Sequence, residues 1–194
     1  MLRRTLVTLA IMGLVATACG GAQAGRSSAT PNPYPYDESP TSVIAQAALQ
    51  DGAGKIVGLV SFSENRLGVK VDVKINGLPA GTHGIHIHAA GKCDPPEFTT
   101  AGGHFNPASK KHGLSVPDGP HAGDLPNLEV AADGKGSLLH YGPHLSLNPA
   151  ASNGVLFGAG TAVVVHAKAD DGKTDPSGDS GARIACGVAK RAGG

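Results

Sequence analysis

Apolar and polar positions alternate most cleanly in Val69-Lys70-Val71-Asp72-Val73-Lys74-Ile75. The β-branched residues share one face and the polar ones the other, the pattern of a half-buried antiparallel strand. Asn76-Gly77 ends that strand with turn chemistry. Upstream, Ile56–Phe62 predicts a second strand, with Glu64-Asn65-Arg66 as the connection between the two. Further strands are predicted at Gly84–His88, Asn127–Ala132, Gly136–Leu139 and Thr161–His166, and Asp133-Gly134 reads as a hairpin turn. Ser42–Leu49 reads either as a short helix or as the start of the first strand. No stretch carries a long 3.6-residue period with caps. Residues 89–126 and 167–183 lack periodicity and are dense in Gly, Pro, His and Asp. Loops of that length in a compact domain are usually functional. The pattern predicts a small antiparallel barrel or sandwich carrying two elaborate loops.

Composition agrees. The 194 residues include 29 Gly and 14 Pro, aromatic residues make up only 4%, and Trp is absent. This argues against a large helical core and for a turn-rich β protein. Residues 1–18 read as a secretion signal: Arg3 and Arg4 supply the basic start, and Leu6–Ala18 is an apolar run too short to span a bilayer. Ala16-Thr17-Ala18-Cys19-Gly20 resembles a bacterial lipobox, with Ala16 where Leu is usual, which makes Cys19 the expected lipidation site. Residues 19–40, rich in Gly, Ala, Ser and Pro, read as a tether, and 41–194 as the folded domain. Without the leader's two arginines the balance is 14 basic against 15 acidic residues, and no basic block suggests nucleic-acid binding. With Cys19 lipidated, Cys93 and Cys186 remain, either as a disulfide or as two buried thiols, and export favours the disulfide.

The candidate chemistry lies in histidines. His86-Ile87-His88 falls on a predicted strand, so both imidazoles point to one face while Ile85 and Ile87 point to the other. Two such histidines alone are a weak metal signal. The following loop adds His104, His112 and His121, then Asp124, and three imidazoles with one carboxylate complete a tetrahedral zinc site. Their irregular spacing requires a folded loop to gather them, a task a metal can perform. His166 closes the apolar strand Thr161–Val165 and can complete a set with His86 and His88 that suits copper, zinc, iron or nickel. His83, His140 and His144 read as surface or structural residues. Neither H-E-x-x-H nor a Ser-His-Asp motif appears, which argues against a hydrolase.

Five segments, in order over residues 43–189, resemble the Cu,Zn superoxide dismutase family. They are Gly84-Ile85-His86-Ile87-His88; Gly102-Gly103-His104-Phe105-Asn106-Pro107 continuing to Lys111-His112-Gly113; and His121-Ala122-Gly123-Asp124-Leu125. The last two are Val164-Val165-His166-Ala167-Lys168-Ala169-Asp170-Asp171 and Gly181-Ala182-Arg183-Ile184-Ala185-Cys186-Gly187. The resemblance implies an all-β fold, an eight-stranded antiparallel Greek-key barrel with two long functional loops. It implies copper held by His86, His88, His104 and His166, and zinc held by His104, His112, His121 and Asp124, with His104 bridging. It implies Asp170 as a carboxylate orienting ligands of both metals, a Cys93–Cys186 disulfide, and Arg183 beside the copper. Lys92 departs from the small or acidic residue common before the disulfide cysteine, Asp94–Gly103 is longer than in the eukaryotic enzymes, and Tyr141–Gly160 aligns only loosely. No departure removes a metal ligand.

The expected activity is dismutation of superoxide to oxygen and hydrogen peroxide, with His104 moving a proton and Arg183 binding the anion. Lys173, in the late loop, is a candidate for steering the anion and equally an ordinary surface lysine. The expected partners are superoxide and, through the lipid anchor, a membrane of the cell envelope. A homodimer is left open. The alternative is a non-catalytic copper- and zinc-binding envelope lipoprotein on the same fold.

Overall fold

The computed structural model describes residues 44–193. The expected signal, Cys19, the whole tether and the first three residues of the expected domain, 41–43, lie outside the described residues. The strands are β1 (Ala45–Asp51), β2 (Ile56–Asn65), β3 (Gly68–Asn76), β4 (Gly81–His83), β5 (Ile85–His88), β6 (Leu128–Val130), β7 (Lys135–Gly142), β8 (Ala162–His166), β9 (Arg183–Val188) and β10 (Lys190–Arg191). They form one antiparallel sheet in the order β4-β6-β7-β3-β2-β1-β9-β8-β5, with β10 beside β1. The ends of this path, β4 and β5, are separated in the chain only by Gly84, so the sheet curls into a nearly closed barrel. The ten segments correspond to the expected eight strands once β4 and β5 are counted as one strand and the two-residue β10 is set aside. Among the described residues no helix is long and apolar enough to cross a membrane.

Local sequence explains the main elements. In β3 the alternating Val69, Val71, Val73 and Ile75 are buried, as their period-2 spacing requires. Within Ser42–Leu49, whose first two residues lie outside the described ones, β1 starts at Ala45, and its alternate residues Ala45, Ala47 and Leu49 are fully buried. A register shift at Leu49/Gln50 pairs Leu49 with Gly58 and Gln50 with Ile56. The extra residue, Val57, breaks the alternation of β2, which lets Val57 and Val60 both face the core. β7 runs past the predicted Leu139 to Gly142, because β3 offers a partner along its whole length.

A second, smaller cluster lies outside the barrel. Phe98 and Ala101, from the 89–126 loop, pack on Ala162 and Val164 of β8 and on Cys186 of β9. The Cys93–Cys186 disulfide, with a Cα–Cα distance of 5.7 Å, fastens this part of the loop to β9. The same loop covers the outer edge of β5: the Ile87 N–H donates to the Gly123 carbonyl, and the Phe105 N–H donates to the Ile87 carbonyl. Loop and barrel are therefore hydrogen-bonded together where the histidines converge.

Candidate metal centre

On β5, Ile85 and Ile87 enter the main core while His86 and His88 turn to the opposite face. The loop lies over that face, placing His104 opposite His88 and Asp124 opposite His86 as isolated bridges. His166 arrives from the end of the neighbouring β8. Two four-residue groups result, each with ligand atoms within 4.8 Å of one another: His86, His88, His104 and His166, and His104, His112, His121 and Asp124. His104 belongs to both.

Hydrogen bonds decide which nitrogen each ring presents. His86 Nε2 donates to the Asp170 carboxylate at 2.7 Å, His88 Nδ1 donates to the Gly102 carbonyl at 2.8 Å, and His166 Nδ1 donates to the Gly181 carbonyl at 3.1 Å. Each bond fixes a tautomer and leaves the other nitrogen with a free lone pair. In the first group those nitrogens meet: His166 Nε2 lies 3.4 Å from His88 Nε2, too far and too proton-poor for a good hydrogen bond. His86 Nδ1 and His104 Nε2 are buried without a partner. Buried polar atoms are nearly always satisfied, so two orphaned nitrogens in one cluster call for a cation.

In the second group the Nδ1 atoms of His104, His112 and His121 lie 3.0, 3.1 and 3.2 Å from Asp124 Oδ1. The other carboxylate oxygen accepts the backbone N–H groups of Gly113 (2.9 Å) and His121 (3.0 Å), which holds Oδ1 toward the histidines. Asp170 joins the two groups, since its carboxylate also lies 3.0 Å from His112 Nε2. Asn127 holds Asp170 through paired side-chain-to-backbone bonds, both 2.8 Å.

Electrostatics follow from this packing. Burial lowers the pKa of His86 to about 4, of His88 to about 2 and of His166 to about 3, so all three stay neutral, the form that binds metals. Burial also pushes His112 down, but its hydrogen bonds to Asp124 and Asp170 outweigh it and raise its pKa to about 10. Although burial disfavours their charge, hydrogen bonds from His104 and His112 hold Asp124 below the usual carboxylate range, and bonds from His112 and His86 do the same for Asp170. Two ionised carboxylates against His112 make the second group a place that favours positive charge, which a divalent ion would supply.

Arg183, at the start of β9, donates from its two terminal nitrogens to the carbonyls of Phe98 and Gly102, each at 2.6 Å. Gly102 is also the acceptor for His88, so the guanidinium sits beside the first group, and its charge helps lower His88 and His166. All eight residues expected to gather do so, counting Asp170 with the ligands. Lys173 does not join them: it is exposed in the late loop, and its backbone N–H caps Asp171.

Two positions were missed as part of the site's support. Asn127 reads only as the first residue of a strand, and Asp175 is a short polar residue in unpatterned sequence; neither carries a signal of its contact. His83, read as surface or structural, is structural: it is buried, with ring nitrogens 2.8 Å from the His166 carbonyl and 3.0 Å from that of Pro79. His140 is half-buried on β7 and His144 is exposed.

Comparison with known proteins supports this geometry. Residues 56–189 match the family described as copper/zinc superoxide dismutase. The chain is 43% identical over 138 residues to superoxide dismutase [Cu-Zn] 1 of Aquifex aeolicus, covering 71% of this chain and 82% of that one. It is 45% identical over 137 residues to the superoxide dismutase-like protein YojM of Bacillus subtilis, covering 70% of each chain. Among solved structures, a double mutant of a superoxide dismutase-like protein from Bacillus subtilis aligns with a TM-score of 0.70 at 44% identity, over 74% of this chain and 95% of that one. The Cu/Zn superoxide dismutase of Brucella abortus aligns with a TM-score of 0.61 at 33% identity, over 74% and 98%.

Proposed function

We propose that this chain, which belongs to the copper/zinc superoxide dismutase family and is an enzyme of that class, dismutes superoxide at a copper held by His86, His88, His104 and His166. Zinc is held by His104, His112, His121 and Asp124. The observation that carries the reading is His104, whose Nδ1 belongs to the second group while its buried Nε2 has no protein partner and faces the first. A single imidazole serving two cation sites explains both features. Four imidazoles suit copper, and three imidazoles with a carboxylate suit zinc.

Copper supplies a centre that accepts one electron and later returns it, whereas zinc has no accessible redox change. The protein does the rest. Arg183, its charge permanent and its direction set by two carbonyls, attracts and holds the superoxide anion beside the first group. His104, whenever its Nε2 is released from the first group, would carry a proton at that nitrogen and pass it to the reduced oxygen species, with water supplying the second proton. Asp170, bonded to His86 and His112, keeps both groups aligned through the cycle. In sum, two superoxide anions and two protons give one oxygen and one hydrogen peroxide.

The test is superoxide dismutation by the purified protein loaded with copper and zinc, against the same protein loaded with zinc alone. Fast, copper-dependent activity supports the reading. Negligible activity with both metals bound would leave a non-catalytic metal-binding protein on the same fold. Export and lipidation at Cys19, with protection of the cell envelope as the role, belong to the same proposal. They rest on the leader pattern alone, and Cys19→Ala is expected to release the protein from membranes.

A further inference from the structure

The late loop meets the second histidine group at more than Asp170. Asp175 Oδ1 accepts the backbone N–H of His112 at 2.8 Å. The same oxygen stands 3.9 Å from His121 Nε2, the nitrogen turned away from the group. One carboxylate from the 167–182 loop thus touches two of the four residues of that group, one through its backbone and one through its ring. Asp175 itself is outside the donor set, with its side chain 55% exposed.

The two loops interlock around this contact. A side chain on Gly113 would strike the Gly172 carbonyl, and one on Gly178 would strike both the Asp170 carboxylate and His112 Nε2. Gly178 also has a positive φ of +66°. The backbone of one loop therefore lies directly against the other, and the Asp175 bond closes the gap beside His112.

We propose that Asp175 is a positioning residue for the second metal group, fixing His112 and orienting His121 from the late loop. The proposal rests on the zinc reading given above. A ligand whose backbone is pinned cannot swing away when its metal bond breaks, so rebinding outpaces escape. At 3.9 Å the carboxylate is too far for a hydrogen bond to His121 Nε2, but its negative charge beside that nitrogen favours the tautomer with the proton there and Nδ1 free to ligate. Among the described residues Asp175 has no hydrogen bond or ion pair with His86, His88 or His166, so the effect falls first on the second metal.

The experiment measures metal release from the copper- and zinc-loaded protein to a chromogenic chelator, for wild type, Asp175→Ala and Asp175→Asn. Losing an outer contact of this kind costs metal retention about tenfold. Asp175→Ala is expected to release zinc faster by that factor, with copper release unchanged and with faster hydrogen exchange at the His112 amide. Asp175→Asn keeps an oxygen for that amide and restores most of the retention. Equal zinc release from wild type and Asp175→Ala overturns the proposal, as does parallel loss of both metals from both variants. If the wild-type protein takes up no zinc, the zinc reading itself fails and the proposal falls with it.

Discussion

The Asn127 side chain and the Asp170 backbone exchange two hydrogen bonds, both 2.8 Å, and Asp170 in turn bonds His86 and His112. Asn127 thus holds in place the residue whose carboxylate bonds both histidine groups. Asn127→Ala removes both bonds and leaves the Asp170 backbone unpaired. Each net bond is worth about 1 kcal/mol, so a loss of about 2 kcal/mol is expected in denaturant unfolding of the metal-free protein. Asn127→Asp keeps the acceptor and loses the donor, and should fall between. Unchanged midpoints in both variants would remove Asn127 from this role.

Arg183→Ala should reduce dismutation roughly tenfold or more and flatten its dependence on ionic strength, because the anion loses a fixed cation beside the first group. Copper should remain bound, since Arg183 is no part of the donor set. Arg183→Lys should not restore the rate: one ammonium cannot span the Phe98 and Gly102 carbonyls as the planar fork does. Activity titrated against salt decides the matter, and a wild-type rate in Arg183→Ala would refute the assignment.

The metal-free protein should be most stable near neutral pH. Burial lowers the pKa of His86 to about 4 and of His166 to about 3, against 6.5 in the unfolded chain. As pH falls below 6.5 the unfolded chain takes up protons that the folded one refuses, so stability declines toward pH 4. His112 acts the other way. Its pKa is raised from 6.5 to about 10, so its contribution is complete below 6.5 and is lost as pH rises toward 10. The depressed Asp124 and Asp170 add a further loss below the ordinary value of 3.8. Unfolding midpoints measured across this range should trace a dome, and a steady rise through alkaline pH would contradict the role given to His112.

Reducing the Cys93–Cys186 disulfide, or replacing Cys186 by Ser, opens a covalent loop with a sequence separation of 93. In the chain-entropy model this costs about 4–5 kcal/mol. Hydrogen exchange should rise first at Phe98–Ala101, which the bond fastens to β9. A midpoint that does not respond to reductant would show that packing alone holds this segment.

Much of this was legible in the sequence, and for identifiable reasons. The alternation of Val69–Ile75 left β3 no other reading, and the His-x-His on β5 needed only the period of a strand to place both rings on one face. The gathering of His104, His112, His121 and Asp124 followed from residue type and order, because no other folded arrangement explains them so simply. Ser42–Leu49 stayed ambiguous because alanines suit a helix as well as a strand, and pairing with β2 and β9 decided it. The break at Gly84 was invisible, since it depends on where the barrel closes. Asn127 acts through two bonds to the Asp170 backbone and Asp175 through one to the His112 backbone, each far away in the chain, and no local pattern announces such contacts.

The loop that supplies His104 and Asp124 also pairs, through Gly123 and Phe105, with the outer edge of β5. An uncovered strand edge is a template for another chain, and natural proteins guard against it. Here the guard and the site loop are one piece. Anything that lets the loop lift away, such as metal loss or reduction of Cys93–Cys186, therefore threatens solubility together with activity. In a crowded setting the first sign of a failing site would be self-association of the protein.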